Sequence, residues 1–252
     1  MNLRKLIMKK RLKRLKEGKM HISDYLKNSP MRTFDKAIGG SLGSGNLGVI
    51  VSKKGIGKTA LVVHLALDKM LQGKNIVHVA FSNNVDDVSL WYKEIFTQVS
   101  EEVKMKDTLE TYESMLSHRT IMNFGKDMPL KNVLSSLDAL ISNALKADAV
   151  FFDSFSLLKA NDDDIKSIKA FAKKLNVETW FAVSPQEKDA VVDAYGVPEA
   201  FEGYKDDVDV LVALKMDETA KKVKMSVIKT PKSNKTEVLS VMLNPQTMLI
   251  EE

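Results

Sequence analysis

The feature that most constrains this chain is the run at 49–59, where an apolar stretch leads through two glycines to a lysine and a threonine. The run reads Val-Ile-Val-Ser-Lys-Lys-Gly-Ile-Gly-Lys-Thr. It is close to the pattern G-x-x-x-x-G-K-[ST], in which glycines let backbone N–H groups turn toward phosphate oxygens. The N-terminus of the following helix adds a partial positive charge. The run therefore predicts a phosphate-binding loop between a strand and a helix.

A few side chains in this loop carry the expected chemistry. We expect Lys58 to reach the β- and γ-phosphates of a nucleoside triphosphate and Thr59 to bind Mg²⁺. Ser52 stands where the pattern has its first glycine, while Gly55 and Gly57 keep the positions nearest the phosphates. The predicted nucleotide contacts are Ser52, Lys53, Lys54, Gly55, Ile56, Gly57, Lys58, Thr59 and Ala60. The alternative is a glycine-rich turn with an exposed lysine.

A second part of such a site is a carboxylate at the end of a neighbouring strand. Residues 149–153 read Ala-Val-Phe-Phe-Asp, an apolar run that ends in Asp153. In P-loop nucleoside triphosphatases, an Asp in this position and the Ser or Thr of the loop hold Mg²⁺ together. We therefore predict that Asp153 and Thr59 share a magnesium ion. The alternative is a buried strand that ends in a turn Asp.

From residue 47 onward, strand-like apolar runs alternate with segments of helical periodicity. This alternation is typical of an α/β fold with a doubly wound, mostly parallel sheet and helices on both faces. A C-terminal antiparallel β-hairpin, 222–228 and 237–243, closes one edge. The other strands are predicted at 47–52, 75–81, 120–123, 149–153, 178–183 and 208–214. Helices are predicted around 23–26 and at 58–71, 85–99, 130–145 and 163–175.

The positive charge of the chain is concentrated at one end. The net charge is +5, yet the first 20 residues alone hold nine Lys or Arg and one acid, Glu17. We expect a basic N-terminal helical arm at 1–30 and one domain at 31–252. Such an arm suits nucleic acid, an anionic membrane surface or an acidic protein face, the alternative being a solvated tail.

Composition narrows the setting in which the chain acts. There is no cysteine, which excludes disulfides and thiolate metal sites. No apolar run approaches the roughly 18 residues of a membrane span, and the basic N-terminus lacks the apolar core of a signal peptide. We therefore expect a cytoplasmic protein without a membrane span.

Several segments together resemble a known group of ATPases. The segment 34–51, rich in glycine and ending in the loop strand, is similar to the entry segment of RecA-superfamily ATPases of the KaiC, RadA and DnaB-helicase kind. The resemblance continues through 152–154, 181–186 and 228–231 and covers about residues 31–250. It implies a RecA-like fold that binds ATP and Mg²⁺ and assembles as a homo-oligomer. It also implies that Gln186 senses the γ-phosphate.

Two positions depart from the pattern of that group. Its members usually carry a Glu that orients the attacking water, where this chain has Asn84. Loss of a general base typically costs about 10²–10⁴ in rate. Asp86 or Asp87 is an alternative base, although Asp at a helix start is more often a cap or dipole partner.

The second departure concerns a Lys-x-Arg pair that members place against the neighbouring subunit's triphosphate. Here the segment reads Lys229-Thr230-Pro231, so the lysine is kept and the arginine is missing. The resemblance therefore implies Lys229 as a catalytic contact in trans. Lys232 is an alternative residue that could reach the neighbouring site, although a lysine cannot reproduce the bidentate fork of an arginine. An exposed, lysine-rich hairpin end is the alternative.

These observations predict an ATP-binding regulatory or assembly ATPase with slow hydrolysis, in which Lys58, Asp153, Gln186 and Lys229 carry the chemistry. One alternative is a DNA-handling ATPase such as a recombination mediator or helicase relative, and another is a non-hydrolysing scaffold. The segment 187–207 has seven acidic residues and two lysines, which disfavours DNA in a central channel. The basic arm leaves DNA tethering open, and a protein partner is also possible.

Overall fold

The computed structural model describes residues 20–81, 86–153, 162–184 and 191–251. The strands are β1 (Leu47–Val51), β2 (Ile76–Ala80), β3 (Arg119–Asn123), β4 (Ala149–Asp153), β5 (Glu178–Val183), β6 (Val210–Asp217), β7 (Lys222–Lys229), β8 (Glu237–Leu243) and β9 (Ile250–Glu251). The helices are α1 (Ile22–Asn28), α2 (Met31–Ala37), α3 (Lys58–Leu71), α4 (Asp86–Glu102), α5 (Thr108–Leu116), α6 (Leu130–Asn143) and α7 (Asp162–Leu175), with a 3-10 helix at Glu199–Tyr204. None of these helices is long and apolar enough to cross a membrane.

The strands form one sheet in the order β3-β2-β4-β5-β1-β6-β7-β8-β9. Neighbours from β3 to β6 run parallel, and β7, β8 and β9 add antiparallel pairs at one edge. The predicted α/β fold, with a mostly parallel sheet and a C-terminal hairpin, is therefore confirmed. It is consistent with a RecA-like domain.

Helices cover both faces of the sheet because the strands bury side chains on both sides. On β1, Ile50 belongs to one apolar cluster, while Val49 and Val51 belong to the other. Residues of α1 to α5 pack in the first cluster, and residues of α6 and α7 pack in the second. Burial on both faces explains why β1, β2 and β4 are almost continuously apolar in sequence.

The chain before the first strand also packs on the sheet. The helix predicted around 23–26 spans Ile22–Asn28, and its Tyr25 is only 8% exposed within the first apolar cluster. Helix α2 follows directly, and its Phe34 contacts the ring of Trp180 on β5 at a centroid distance of 6.1 Å. The basic part of the predicted arm, residues 1–19, lies outside the described residues.

Candidate functional site

The predicted phosphate loop lies between β1 and α3, at the carboxyl end of the parallel strands. Gly55 and Gly57 have φ angles of +84° and +110°, values that glycine adopts without the strain of a side chain. Gly57 immediately precedes α3, whose first turn has no acidic residue and no side-chain cap among the described residues. The first N–H groups of the helix are therefore oriented toward the loop without a competing side-chain acceptor.

Lys58 is folded back over the loop that precedes it. Its Nζ donates to Ser52 Oγ at 3.0 Å, to the Lys53 carbonyl at 3.0 Å and to the Ser52 carbonyl at 3.3 Å. Burial lowers the pKa of Lys58 to about 8, and the negative charge of Asp153 opposes this shift. The ammonium group is thus held by neutral oxygens in a partly desolvated place, where an anion would be a stronger partner.

Thr59 and Asp153 are brought together across the sheet. The Thr59 hydroxyl donates to the two carboxylate oxygens of Asp153 at 2.9 and 3.2 Å. Strand β5 separates β1 from β4 in the sheet. Thr59, which follows β1, therefore contacts Asp153 on β4 because helix α3 begins above the end of β4. A hydroxyl and a carboxylate in contact are oxygen ligands of the kind that Mg²⁺ prefers.

Two positions at which the sequence predicts the reaction chemistry are not placed by the structure. Asn84, which follows β2, and Gln186, which follows β5, lie outside the described residues. The described end of β2 lies beside Asp153, because Ala80 is paired with Asp153 across β2 and β4. Asp86 and Asp87 are exposed residues in the first turn of α4, as expected for residues that interact with a helix dipole.

Lys229 is held away from the loop of its own chain. It pairs with Leu211 near the amino end of β6, whereas the loop follows the carboxyl end of β1, which runs parallel to β6. Its Nζ donates to the Lys205 carbonyl at 2.7 Å and to the Asp206 carbonyl at 3.2 Å, and both residues precede β6. Lys229 is therefore directed toward the end of the sheet opposite the loop.

The C-terminal hairpin packs against the phosphate loop and helix α3. A Cβ atom built on Gly57 would lie 2.5 Å from Leu243 Cδ2 at the end of β8. On the next part of the helix, His64 Nε2 is 2.7 Å from the carbonyl oxygen of Met248. The end of β8 and the turn after it thus contact both the start and the middle of α3. The spacing of more than 180 residues hides these contacts from any local sequence pattern.

Comparison with known families agrees with this geometry. A family profile described as an AAA domain matches residues 11–177, about two thirds of the chain. The matched range includes the loop, α3 and Asp153. The chain belongs to this AAA-domain family and is a nucleotide-binding protein of the P-loop ATPase type. Comparison with curated proteins gives no significant match.

Proposed function

We propose that this chain binds Mg·ATP at residues 52–60 and that nucleotide occupancy controls its self-association or its binding to a protein partner. The observation that carries the proposal is the convergence of three groups at the start of α3. These are the Lys58 ammonium, the Thr59 hydroxyl and the Asp153 carboxylate, with the last two in hydrogen-bond contact. Families of the P-loop ATPase type use such a set for a nucleoside triphosphate and its metal.

Each group has a task that its surroundings support. Lys58 exchanges its neutral oxygen partners at Ser52 and Lys53 for phosphate oxygens, which bind an ammonium more strongly. Thr59 and Asp153 supply oxygen ligands for Mg²⁺, and the ion neutralises phosphate charge when it is bound. Gly55 and Gly57 let the backbone approach the phosphates without side-chain interference.

We further propose that the chain acts as a homo-oligomer in which Lys229 serves a neighbouring subunit. Lys229 is directed away from the loop of its own chain, so we expect it to serve a nucleotide bound to another copy. Pro231, two residues after Lys229, stands where the related ATPases carry an arginine, and proline supplies no charge. We infer a head-to-tail contact in which Lys229 approaches the loop of the next subunit. With lysine alone, the contact stabilises the assembly more than it accelerates hydrolysis.

Slow turnover follows from the residues at the two reaction positions. Asn84 has no carboxylate to accept a proton. Pro231 stands where the related ATPases have an arginine, and an arginine finger raises the hydrolysis rate by a factor of about 10³–10⁵. We expect steady-state hydrolysis by the purified protein below about 1 s⁻¹, under the usual range of enzymes. Phosphate release is measured at saturating Mg·ATP over a range of protein concentrations. Turnover well above that rate would contradict the proposal.

The reason for slow turnover is tested by restoring a carboxylate. Asn84→Glu is compared with Asn83→Glu, which adds the same charge at the neighbouring position. An increase in turnover in Asn84→Glu alone, with equal ATP affinity in both variants, supports a missing base. Equal turnover in the parent and both variants indicates that a base at this position is not what limits the rate.

The pH dependence of binding provides a further prediction. The pKa of Lys58 is lowered to about 8, so the lysine loses its charge as the pH rises through 8 in the ligand-free protein. If only the charged form binds well, Mg·ATP affinity falls by about tenfold between pH 7 and pH 9. In Lys58→Arg the guanidinium stays charged over this range, so its residual affinity should be nearly constant. Titration calorimetry at several pH values checks both.

A further inference from the structure

A surface groove beside α5 is separate from the nucleotide site. Its volume is about 490 Å³, and it is lined by Met105, Asp107, Thr108, Leu109, Glu110 and Glu113. Leu109 is 71% exposed on this nine-residue helix. Met105 is 5% exposed and belongs to the first apolar cluster. The groove therefore combines an apolar contact surface with an acidic rim.

The acidic rim continues onto the end of the preceding helix. Its exposed carboxylates belong to Glu101, Glu102, Asp107, Glu110 and Glu113. Within the ranges that the structure describes, none of the five forms an ion pair, whereas many acids elsewhere do, such as Asp138 with Lys174 at 2.6 Å. A cationic partner would find an unneutralised field at this surface.

Two lysines lie near the groove, and neither neutralises it. Lys104 is exposed, and Lys106 has its Nζ 3.1 Å from His21 Nε2, so it is directed toward α1. The segment 101–113 thus has five carboxylates and two lysines, so its net charge is negative. Glu110 and Glu113 are spaced three residues apart, so they lie on one side of α5, and Asp107 immediately precedes the helix.

The first described residue is fixed at this same place. The Met20 N–H donates to the Lys104 carbonyl at 2.9 Å, and the Lys106 N–H donates to the Met20 carbonyl at 2.9 Å. Met20 and Met105 thus form a bridge, and Met105 also lines the groove. The described part of the chain therefore begins, at Met20, directly beside the acidic surface.

We propose that residues 1–19 dock on this groove of their own chain. These residues hold nine Lys or Arg against one acid, and apolar residues such as Leu12 and Leu15 lie between the basic ones. Basic groups pair with the rim, and an apolar side chain covers Leu109. Short tethers give effective concentrations in the millimolar range, so even weak intrinsic affinity fills the groove. Docking then competes with any external polyanion for the same basic residues.

The absence of cysteine from these 252 residues allows this to be tested with two introduced labels. A flexible tether from Met8 to Met20 spans only about 20 Å, so the probe has to respond at near-contact distance. Cysteines introduced by Met8→Cys and Ser114→Cys therefore carry a donor and an acceptor that transfers energy only at near-contact distance, and neither change alters charge. We expect efficient energy transfer at low salt that falls by at least about twofold at 1 M salt, where the Debye length is about 3 Å. Neutralising the groove by Asp107→Asn, Glu110→Gln and Glu113→Gln should cause a similar fall at low salt.

Matched controls keep the result specific. The set Asp127→Asn, Glu199→Gln and Glu218→Gln removes three exposed charges elsewhere and should leave transfer unchanged, with thermal unfolding recorded for every variant. An excess of unlabelled protein should also leave transfer unchanged. Loss of transfer on such dilution would overturn docking within one chain in favour of a second copy. Equal transfer in the groove set and its parent would overturn the proposal altogether.

Discussion

Replacing Lys58 by alanine is expected to weaken Mg·ATP binding by about 10- to 100-fold, because a hydrogen bond to a charged group contributes about 1.5–3 kcal/mol. The lysine is held over the loop by three oxygen atoms of Ser52 and Lys53, none of them charged. Its removal also relieves the cost of burying an ammonium group, a cost that appears as the lowered pKa of about 8. The free energy of unfolding should therefore not decrease along with affinity. Titration calorimetry and chemical denaturation measure the two effects separately.

The matched control is Lys54→Ala, which removes an exposed lysine from the same loop. An exposed charge contributes little to binding at physiological salt, so we expect a change of about threefold or less. If both variants lose affinity equally, the loop acts only through its overall charge. If Lys58→Ala binds like the parent protein, the site is not a phosphate site of the proposed kind.

The parts of the site that the sequence predicted are those determined by local chemistry. The loop at 52–57 needs glycines with positive φ, and Gly57 also stands immediately before the helix. One run of residues therefore specifies both the loop and the start of the helix. Asp153 was predictable for a related reason. An apolar run of strand length is a buried strand, and a carboxylate that ends the run lies at the carboxyl end of that strand. The contact of Thr59 with Asp153 agrees with both expectations.

Long-range contacts explain most of what the sequence did not predict. The sequence analysis predicted no helix at α5, a nine-residue helix in which only Met115 is fully buried while Tyr112 and Leu116 pack partly against the first apolar cluster. Strand β9 has two residues and exists only through its pairing with β8. Gly48 carried no signal of its role, yet a Cβ there would lie 2.5 Å from the Trp180 ring on β5. Such constraints arise only once the strand order is known.

Strand order also changes how Lys229 is interpreted. From sequence, the hairpin end was either a contact to a neighbouring triphosphate or an exposed lysine-rich turn. The register places Lys229 beside the amino end of β6, away from the loop, and its Nζ is bound to the carbonyls of Lys205 and Asp206. It is therefore part of an ordered surface, which is the property that a subunit contact requires. A role in trans remains a proposal that a mixed-subunit assay with Lys229→Ala addresses.

Gly57→Ala should be the most damaging single substitution in the loop, lowering the free energy of unfolding by about 2–5 kcal/mol. Two costs add at this position. The φ of +110° is unfavourable for any residue with a side chain, and the new Cβ would lie 2.5 Å from Leu243 Cδ2. Gly55→Ala is the control, because Gly55 has a φ of +84° but no described atom within 4 Å of the position that a Cβ would occupy. It should show the backbone cost alone, about 1–2 kcal/mol.

The steric part is isolated by a double-mutant cycle with Leu243→Ala. That change alone leaves a cavity and costs about 2–5 kcal/mol. In combination with Gly57→Ala, it gives the new methyl group room, so the two losses should sum to about 1–3 kcal/mol more than the double variant shows. Additive losses would mean that β8 does not press on the loop. A coupling of the expected sign would establish that the end of β8 packs directly against the phosphate loop, because Leu243 is the residue that a side chain at Gly57 would meet.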